Sequence, residues 1–136
     1  MALKNNVLPI FCLGETLGER EAGVTFTILE RQVKEGLKDI APADMTRIVI
    51  AYEPVWAIGT GKTAQPEQAA EAHLFIRNRV AGAYGEDIAG QVPIIYGGSV
   101  NPANIDALMG RQEINGVLVG GASLDVESFA RIVGVK

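Results

Sequence analysis

Aromatic residues, cysteine, histidine and runs of positive charge are all scarce in this sequence. Aromatics make up 6% of the 136 residues, which disfavours a sandwich core built on aromatic pairs. The formal net charge is −4 and no basic run exists, so we expect neither nucleic acid nor a membrane as a partner. The longest early apolar run, Val7 to Leu13, is too short to span a bilayer.

The single cysteine, Cys12, cannot form an internal disulfide. This favours a reducing compartment, and the sequence predicts a cytoplasmic protein. Because Cys12 lies in an apolar run, we interpret it as a small buried strand residue in preference to a reactive thiol.

Apolar residues are nevertheless abundant, at 48% of the chain, which is enough to bury a core. The length predicts a single domain over residues 1–136. Four short, nearly continuous apolar runs are rich in β-branched residues, as expected for strands that are covered on both faces. They are Val7–Leu13, Ile48–Tyr52, Val92–Tyr96 and Gly116–Val119.

Helical patterns separate these runs. Phe26, Leu29, Val33 and Leu37 repeat every three to four residues. The remaining patterns begin at Pro66, at Asn101-Pro102 and near Asp125, the last with Phe129, Ile132 and Val133 on its apolar side. Strand and helix thus alternate four times, which predicts an α/β fold with parallel strands.

Four βα units are half of a closed (β/α)8 TIM barrel, which needs eight units in about 250 residues. The predicted fold class is therefore a half-barrel. The alternative is a rearranged, open, doubly wound sheet of the Rossmann or flavodoxin type, either as a monomer or as a dimer.

Glycine pairs follow the last two predicted strands, in Gly97-Gly98-Ser99 and in Gly120-Gly121. Glycine permits tight turns and lets a ligand approach the backbone N–H groups closely. One such pair alone is better explained as an ordinary turn. Two pairs on neighbouring strands of a barrel-like pattern favour a phosphate site.

A long loop after the second strand has stiff or bulky ends and a small, glycine-rich tip. It is interpreted as a lid that excludes water from a site. Its Gly59-Thr60-Gly61-Lys62-Thr63 run only partly matches a nucleotide P-loop, because Trp56 stands where another glycine is needed. Glu53 directly precedes the lid, at the carboxyl end of the strand. A carboxylate in that position is a candidate general base.

Three of these runs together resemble triosephosphate isomerase: the stretch from Ala51 to Lys62, Tyr96-Gly97-Gly98-Ser99-Val100, and Leu118 to Leu124. Phe11-Cys12-Leu13-Gly14-Glu15 is similar to the same family. The resemblance covers essentially the whole chain and corresponds to the last four βα units of that family's barrel.

The resemblance implies roles for individual residues. Glu53 is the base that moves a proton between two carbons of a triose phosphate, in glycolysis and gluconeogenesis, without metal or cofactor. The N–H groups of Gly59, Ser99, Gly120 and Gly121 hold the phosphate, and Ile58 and Leu118 clamp Glu53 in an apolar slot. The Tyr96 hydroxyl and Ser99 bond the closed lid. The lid itself comprises Pro54, Val55, Trp56, Ala57, Ile58, Gly59, Thr60, Gly61, Lys62, Thr63 and Ala64.

The resemblance also implies a deficit. The family's asparagine, lysine and histidine that polarise the substrate belong to the first four units of the barrel. The only histidine here, His73, falls inside a predicted helix. Losing one oxyanion donor typically costs on the order of 10²–10³ in rate. We therefore expect the chain to be inactive alone and to be completed by a complementary N-terminal half or by self-association. The alternative is a non-catalytic βα folding module with at most weak phosphate binding.

Overall fold

A parallel sheet forms the centre of the computed structural model, which describes residues 1–60 and 62–134. Its strands are β1 (Ile10–Leu13), β2 (Val49–Tyr52) and β3 (Ile94–Tyr96), in the order β1-β2-β3. Cys12 lies beside Ala51, and Ala51 lies beside Ile95. The strands therefore run in register and end at one edge of the sheet.

The fourth predicted strand runs along β3 but pairs only briefly. A single parallel bridge joins Tyr96 to Val117. The Tyr96 N–H donates to Gly116 O at 2.9 Å, and the Leu118 N–H donates to Tyr96 O at 2.8 Å. Gly116–Val119 is thus an outer segment of the sheet, although it is too short and irregular to count as a regular strand.

The strand order confirms the half-barrel fold. Both outer positions are taken by the first and last predicted strands, and the order follows the chain without reversal. A doubly wound sheet reverses its order at a switch point. The described residues show no such reversal, and their sheet is not closed.

The helices are α1 (Leu17–Glu21), α2 (Thr25–Gly36), α3 (Pro42–Met45), α4 (Pro66–Tyr84), α5 (Glu86–Gln91), α6 (Ile105–Met109) and α7 (Val126–Val133). Short 3₁₀ turns cover Leu3–Asn5, Val55–Ala57 and Gly121–Leu124. Pro66 opens α4 as predicted, at a position where its missing N–H costs nothing. No helix in the described part of the chain combines the length and apolarity needed to cross a membrane.

The core lies between the sheet and the helices α2 and α4. Ile50 and Ile94 are fully buried from the sheet, and Leu29, Ile76 and Val80 are fully buried from the helices. On β1, by contrast, Ile10 remains 49% exposed and Cys12 is also exposed. One face of the sheet is therefore packed, while the edge strand keeps part of its other face uncovered.

Several boundaries differ from the sequence-based prediction. Val7 and Leu8 are exposed and precede β1. Helix α6 begins at Ile105, not at Pro102, because the Asn101 side chain accepts from the N–H groups of Ala103 and Asn104 and holds a turn there.

The apolar side of α7 is also less buried than predicted. Ile132 is buried, whereas Phe129 is 41% and Val133 is 67% exposed. Within residues 1–60 and 62–134, the packing covers these two side chains only in part. The periodicity indicates which face is apolar, but burial of that face needs a neighbouring element.

Candidate active site

A single cleft of about 480 Å³ opens at the carboxyl ends of β2 and β3, beside the segment 116–119. Glu53 lines it at the end of β2, and Ser99 lines it after β3. The cleft also includes the lid residues Ile58 and Gly59, the outer-segment residue Leu118, and the glycines Gly97, Gly98, Gly120 and Gly121. The fold thus brings the predicted base, clamp and phosphate-binding residues to one place.

The backbone of Glu53 is held by its neighbours on both sides. Its N–H donates to Leu13 O at 2.8 Å, and the Gly97 N–H donates to Tyr52 O at 2.8 Å. A Cβ on Gly14 would overlap the Glu53 carbonyl. Since that obstacle is backbone, only glycine fits at position 14.

The side chain of Glu53 points past Gly97 into the cleft. A Cβ at Gly97 would lie 2.5 Å from Glu53 Cγ and 2.9 Å from Oε1. Glycine at position 97 therefore makes room for the carboxylate. This is a role for Gly97 that the sequence pattern, which indicates a tight turn and a phosphate site, does not reveal.

The Cys12 thiol is the next neighbour of the Glu53 carboxylate. Partial burial and a hydrogen bond to the Glu53 side chain, together with its negative charge, raise the pKa of Cys12 to about 11. The thiol is therefore protonated near neutrality. Cys12 lies in a strand, as predicted, but the prediction that it is buried was wrong: it is exposed, because it lies on the outer strand β1.

The proposed phosphate donors face the same cleft. Among the described residues, the backbone N–H groups of Gly59, Ser99 and Gly120 have no protein acceptor. The Ser99 carbonyl accepts from Asn104 Nδ2 at 2.9 Å, which fixes the turn that carries the Ser99 N–H. Free backbone N–H groups on residues that line one cleft suit an anion.

The lid is ordered at both ends. At its start, Val55–Ala57 forms a 3₁₀ turn with Pro54 and Ala57 buried. At its end, the Ala64 N–H donates to the Tyr96 hydroxyl at 3.3 Å.

The middle of the lid is more exposed. The Thr60 hydroxyl donates to Trp56 O at 2.7 Å and accepts from the Lys62 N–H at 3.2 Å. Val55 and Ile58 are about half exposed, and Thr63 is partly buried. Gly61, which also belongs to the predicted lid, lies outside the described residues.

A buried carboxylate next to the lid was missed by the sequence-based prediction. Glu15 is fully buried and accepts from the Tyr52 hydroxyl at 3.0 Å, the Trp56 Nε1–H at 2.9 Å and Arg20 Nη1 at 3.0 Å. Arg20 also lies 5.0 Å above the Trp56 ring. The available signal was an acidic residue two positions after an apolar strand, with a tryptophan in the lid that can donate a hydrogen bond to it.

Glu15 also perturbs its neighbour. Burial and the negative charge of Glu15 hold the pKa of Tyr52 well above its usual range, so this hydroxyl remains a donor. The start of the lid is thereby tied to the end of β1 through Trp56.

His73 lies inside a helix, as predicted, and away from the cleft. It is fully buried in α4, its Nδ1 lies 3.3 Å from Glu113 O, and its ring meets the Tyr52 ring edge-on at 5.9 Å. Burial lowers the pKa of His73 to about 4. The residue does not line the cleft.

A parallel βα sheet whose strand order follows the chain without reversal, with a cleft at its carboxyl edge, is typical of the (β/α)-barrel class. A family model described as Triosephosphate isomerase matches residues 1–136. The chain belongs to the triosephosphate isomerase family, which is a family of isomerases.

Curated relatives agree with this assignment. The triosephosphate isomerase of Citrifermentans bemidjiense is 56% identical over 132 residues, covering 97% of this chain and 53% of the relative. That of Syntrophotalea carbinolica is 58% identical over 127 residues, covering 93% and 50%. That of Clostridium botulinum is 53% identical over 132 residues, covering 97% and 53%. The chain therefore spans about half the length of the relatives it matches.

Proposed function

We propose that this chain supplies the general base and the phosphate-binding turns of a triosephosphate isomerase site. The observation that carries the proposal is the shared cleft, in which Glu53 lies together with the N–H groups of Gly59, Ser99, Gly120 and Gly121. Family membership supports the substrate class, a triose phosphate.

In this proposal, the Glu53 carboxylate removes a proton from one carbon of the bound substrate and returns it to the adjacent carbon. The phosphate is bound by the backbone N–H groups, which favour an anion without lysines. Ile58 and Leu118 flank the carboxylate with apolar surface, which strengthens it as a base once the lid excludes water. The Tyr96 hydroxyl, and in the closed state Ser99, hold the lid.

The chain alone is expected to be inactive, because no residue of the cleft can polarise the substrate carbonyl as a cation or an imidazole does. The cleft is lined by one carboxylate, apolar residues and small polar groups. His73 is buried elsewhere, and its low pKa keeps it neutral. The complement that we propose is an N-terminal half of the barrel, with self-association as the alternative. A cytoplasmic location remains part of the proposal and rests on the single cysteine.

The test measures isomerisation of dihydroxyacetone phosphate by the chain alone and after mixing with the N-terminal half of the Citrifermentans bemidjiense relative. We expect no turnover alone and measurable turnover in the mixture. Glu53→Gln should abolish it, whereas Gln112→Met, an exposed change, should not.

A folded mixture that sediments as a complex yet shows no turnover would support the alternative, a non-catalytic folding module. Binding of inorganic phosphate by the chain alone, followed through amide chemical shifts, then tests whether the phosphate turns retain any function. Brisk turnover by the chain alone would refute the need for a complement.

A further inference from the structure

We propose that Gln32, which does not line the cleft, is a positioning residue for Glu53 and acts through the peptide of Gly14. This inference rests on the proposed role of Glu53 as the base. It concerns how α2, on the outside of the sheet, sets the location of a carboxylate at the carboxyl edge.

The side-chain amide of Gln32 forms two hydrogen bonds to the backbone of Gly14, one through its oxygen and one through its nitrogen. The Gly14 N–H donates to Gln32 Oε1 at 2.9 Å, and Gln32 Nε2 donates to Gly14 O at 3.0 Å. Only an amide of this length offers an acceptor and a donor to one residue in this manner. The pair fixes both the location and the tilt of the last peptides of β1.

Gly14 in turn abuts the backbone of Glu53. There is no space for a side chain between them, since a Cβ at Gly14 would overlap the Glu53 carbonyl. The preceding residue, Leu13, accepts the Glu53 N–H at 2.8 Å. A displacement of Gly14 therefore moves the Glu53 backbone, because no flexible group lies between them to absorb it.

The slot around the Glu53 side chain makes it sensitive to such a displacement. Gly97 leaves only enough room for Cγ and Oε1 on one side, and the Cys12 thiol lies near enough for the carboxylate to raise its pKa. If the backbone shifts, the carboxylate must leave one of these two neighbours. Gln32 touches neither the cleft nor the carboxylate, so its effect is one of position only.

The single cysteine makes this testable without enzymatic activity. Cys12 is exposed, and the charge of Glu53 helps to raise the pKa of its thiol, so the pH midpoint of its alkylation by iodoacetamide reports where the carboxylate lies. In Gln32→Met we expect the midpoint to fall by roughly one pH unit, as in Glu53→Gln. At pH 8 this corresponds to an about threefold faster reaction, since a less basic thiolate is also a weaker nucleophile.

The double variant Gln32→Met/Glu53→Gln separates positioning from a direct effect on the thiol. If Gln32 acts through Glu53, the double variant has the midpoint of Glu53→Gln alone. The matched control Gln112→Met, an exposed glutamine, should leave the midpoint unchanged. A lower stability without a shifted carboxylate cannot move the midpoint as long as the protein is folded.

Two results would overturn the proposal. One is an alkylation midpoint that is unchanged in folded Gln32→Met. The other is a midpoint that Gln32→Met shifts by the same amount in the parent protein and in the Glu53→Gln background. If Gln32→Met does not fold, Gln32→Asn, with an amide that is too short to reach both Gly14 groups, is measured in its place with the same expectations.

The isomerase assay adds a second readout in the mixture with the N-terminal half. Gln32→Met should lower kcat on the order of 10-fold to 10²-fold with little change in KM, as misplacement of a reacting group does. If the parent mixture is inactive, the proposed function fails, while the alkylation midpoints still decide the role of Gln32.

Discussion

Replacing Glu15 should show that this buried carboxylate anchors the start of the lid. Three donors converge on it: the Tyr52 hydroxyl, the Trp56 indole N–H and the Arg20 guanidinium. In Glu15→Leu the Arg20 side chain, which is 26% exposed, can form hydrogen bonds to water instead. The indole N–H of the partly buried Trp56 can do this to a smaller extent. Tyr52 cannot, because it is fully buried.

The magnitude follows from this difference. An unsatisfied buried hydroxyl costs about 1–3 kcal/mol, and the two weakened contacts add roughly 1 kcal/mol. We expect Glu15→Leu to lower the free energy of unfolding by about 3 kcal/mol. Glu15→Gln keeps an acceptor but loses the charge assistance, and should cost about 1–2 kcal/mol.

Urea unfolding followed by circular dichroism measures these losses, and the fluorescence of Trp56, the only tryptophan in the sequence, reports the local change. A double-mutant cycle with Tyr52→Phe provides the critical comparison. Tyr52→Phe should destabilise the parent but be neutral or stabilising in Glu15→Leu, where the hydroxyl has no acceptor. Equal costs in both backgrounds would refute the anchoring role.

Three further predictions concern other parts of the fold. The pKa of His73 is about 4 in the folded chain and about 6.5 in the unfolded chain, so between these pH values the unfolded chain binds a proton that the folded chain does not. The free energy of unfolding should therefore fall by about 3 kcal/mol as the pH drops from 6.5 to 4. His73→Phe should remove this part of the pH dependence in urea unfolding. Tyr96→Phe should leave the Ala64 N–H without its acceptor and speed hydrogen exchange at that amide by about tenfold. Gly14→Ala should abolish or severely reduce folding, whereas Gly82→Ala, in open space on α4, should raise the midpoint of thermal unfolding by a few degrees, as about 0.5–1 kcal/mol implies; equal effects at the two glycines would contradict the packing described.

The sequence predicts the order of elements well because parallel strands covered by helices carry a strong local signature. Uninterrupted β-branched runs mark β1, β2 and β3, and proline marks the start of α4. The resemblance adds which residues meet in the cleft, through motifs that periodicity alone does not interpret. Whether Glu53 and the glycine N–H groups act as proposed stays a prediction.

Other features could not be predicted because they depend on contacts between distant parts of the chain. The double hydrogen bond of Gln32 to Gly14 spans 18 residues, and the contact between Trp56 and Glu15 spans 41. Neither pair has a periodic signal. The exposure of Phe129 and Val133 escaped prediction for a related reason, since a helix pattern does not say whether a neighbour is present to cover it.

The close approach of Gly14 to Glu53 has a consequence for how the strands find their alignment. Parallel strands with continuous apolar sequences are prone to sliding, because neighbouring offsets bury similar side chains. A slide of one residue would bring Leu13 or Glu15 against the Glu53 carbonyl, where no side chain fits. The steric clash that any side chain would make at the position of Gly14 therefore selects one register of β1 against β2.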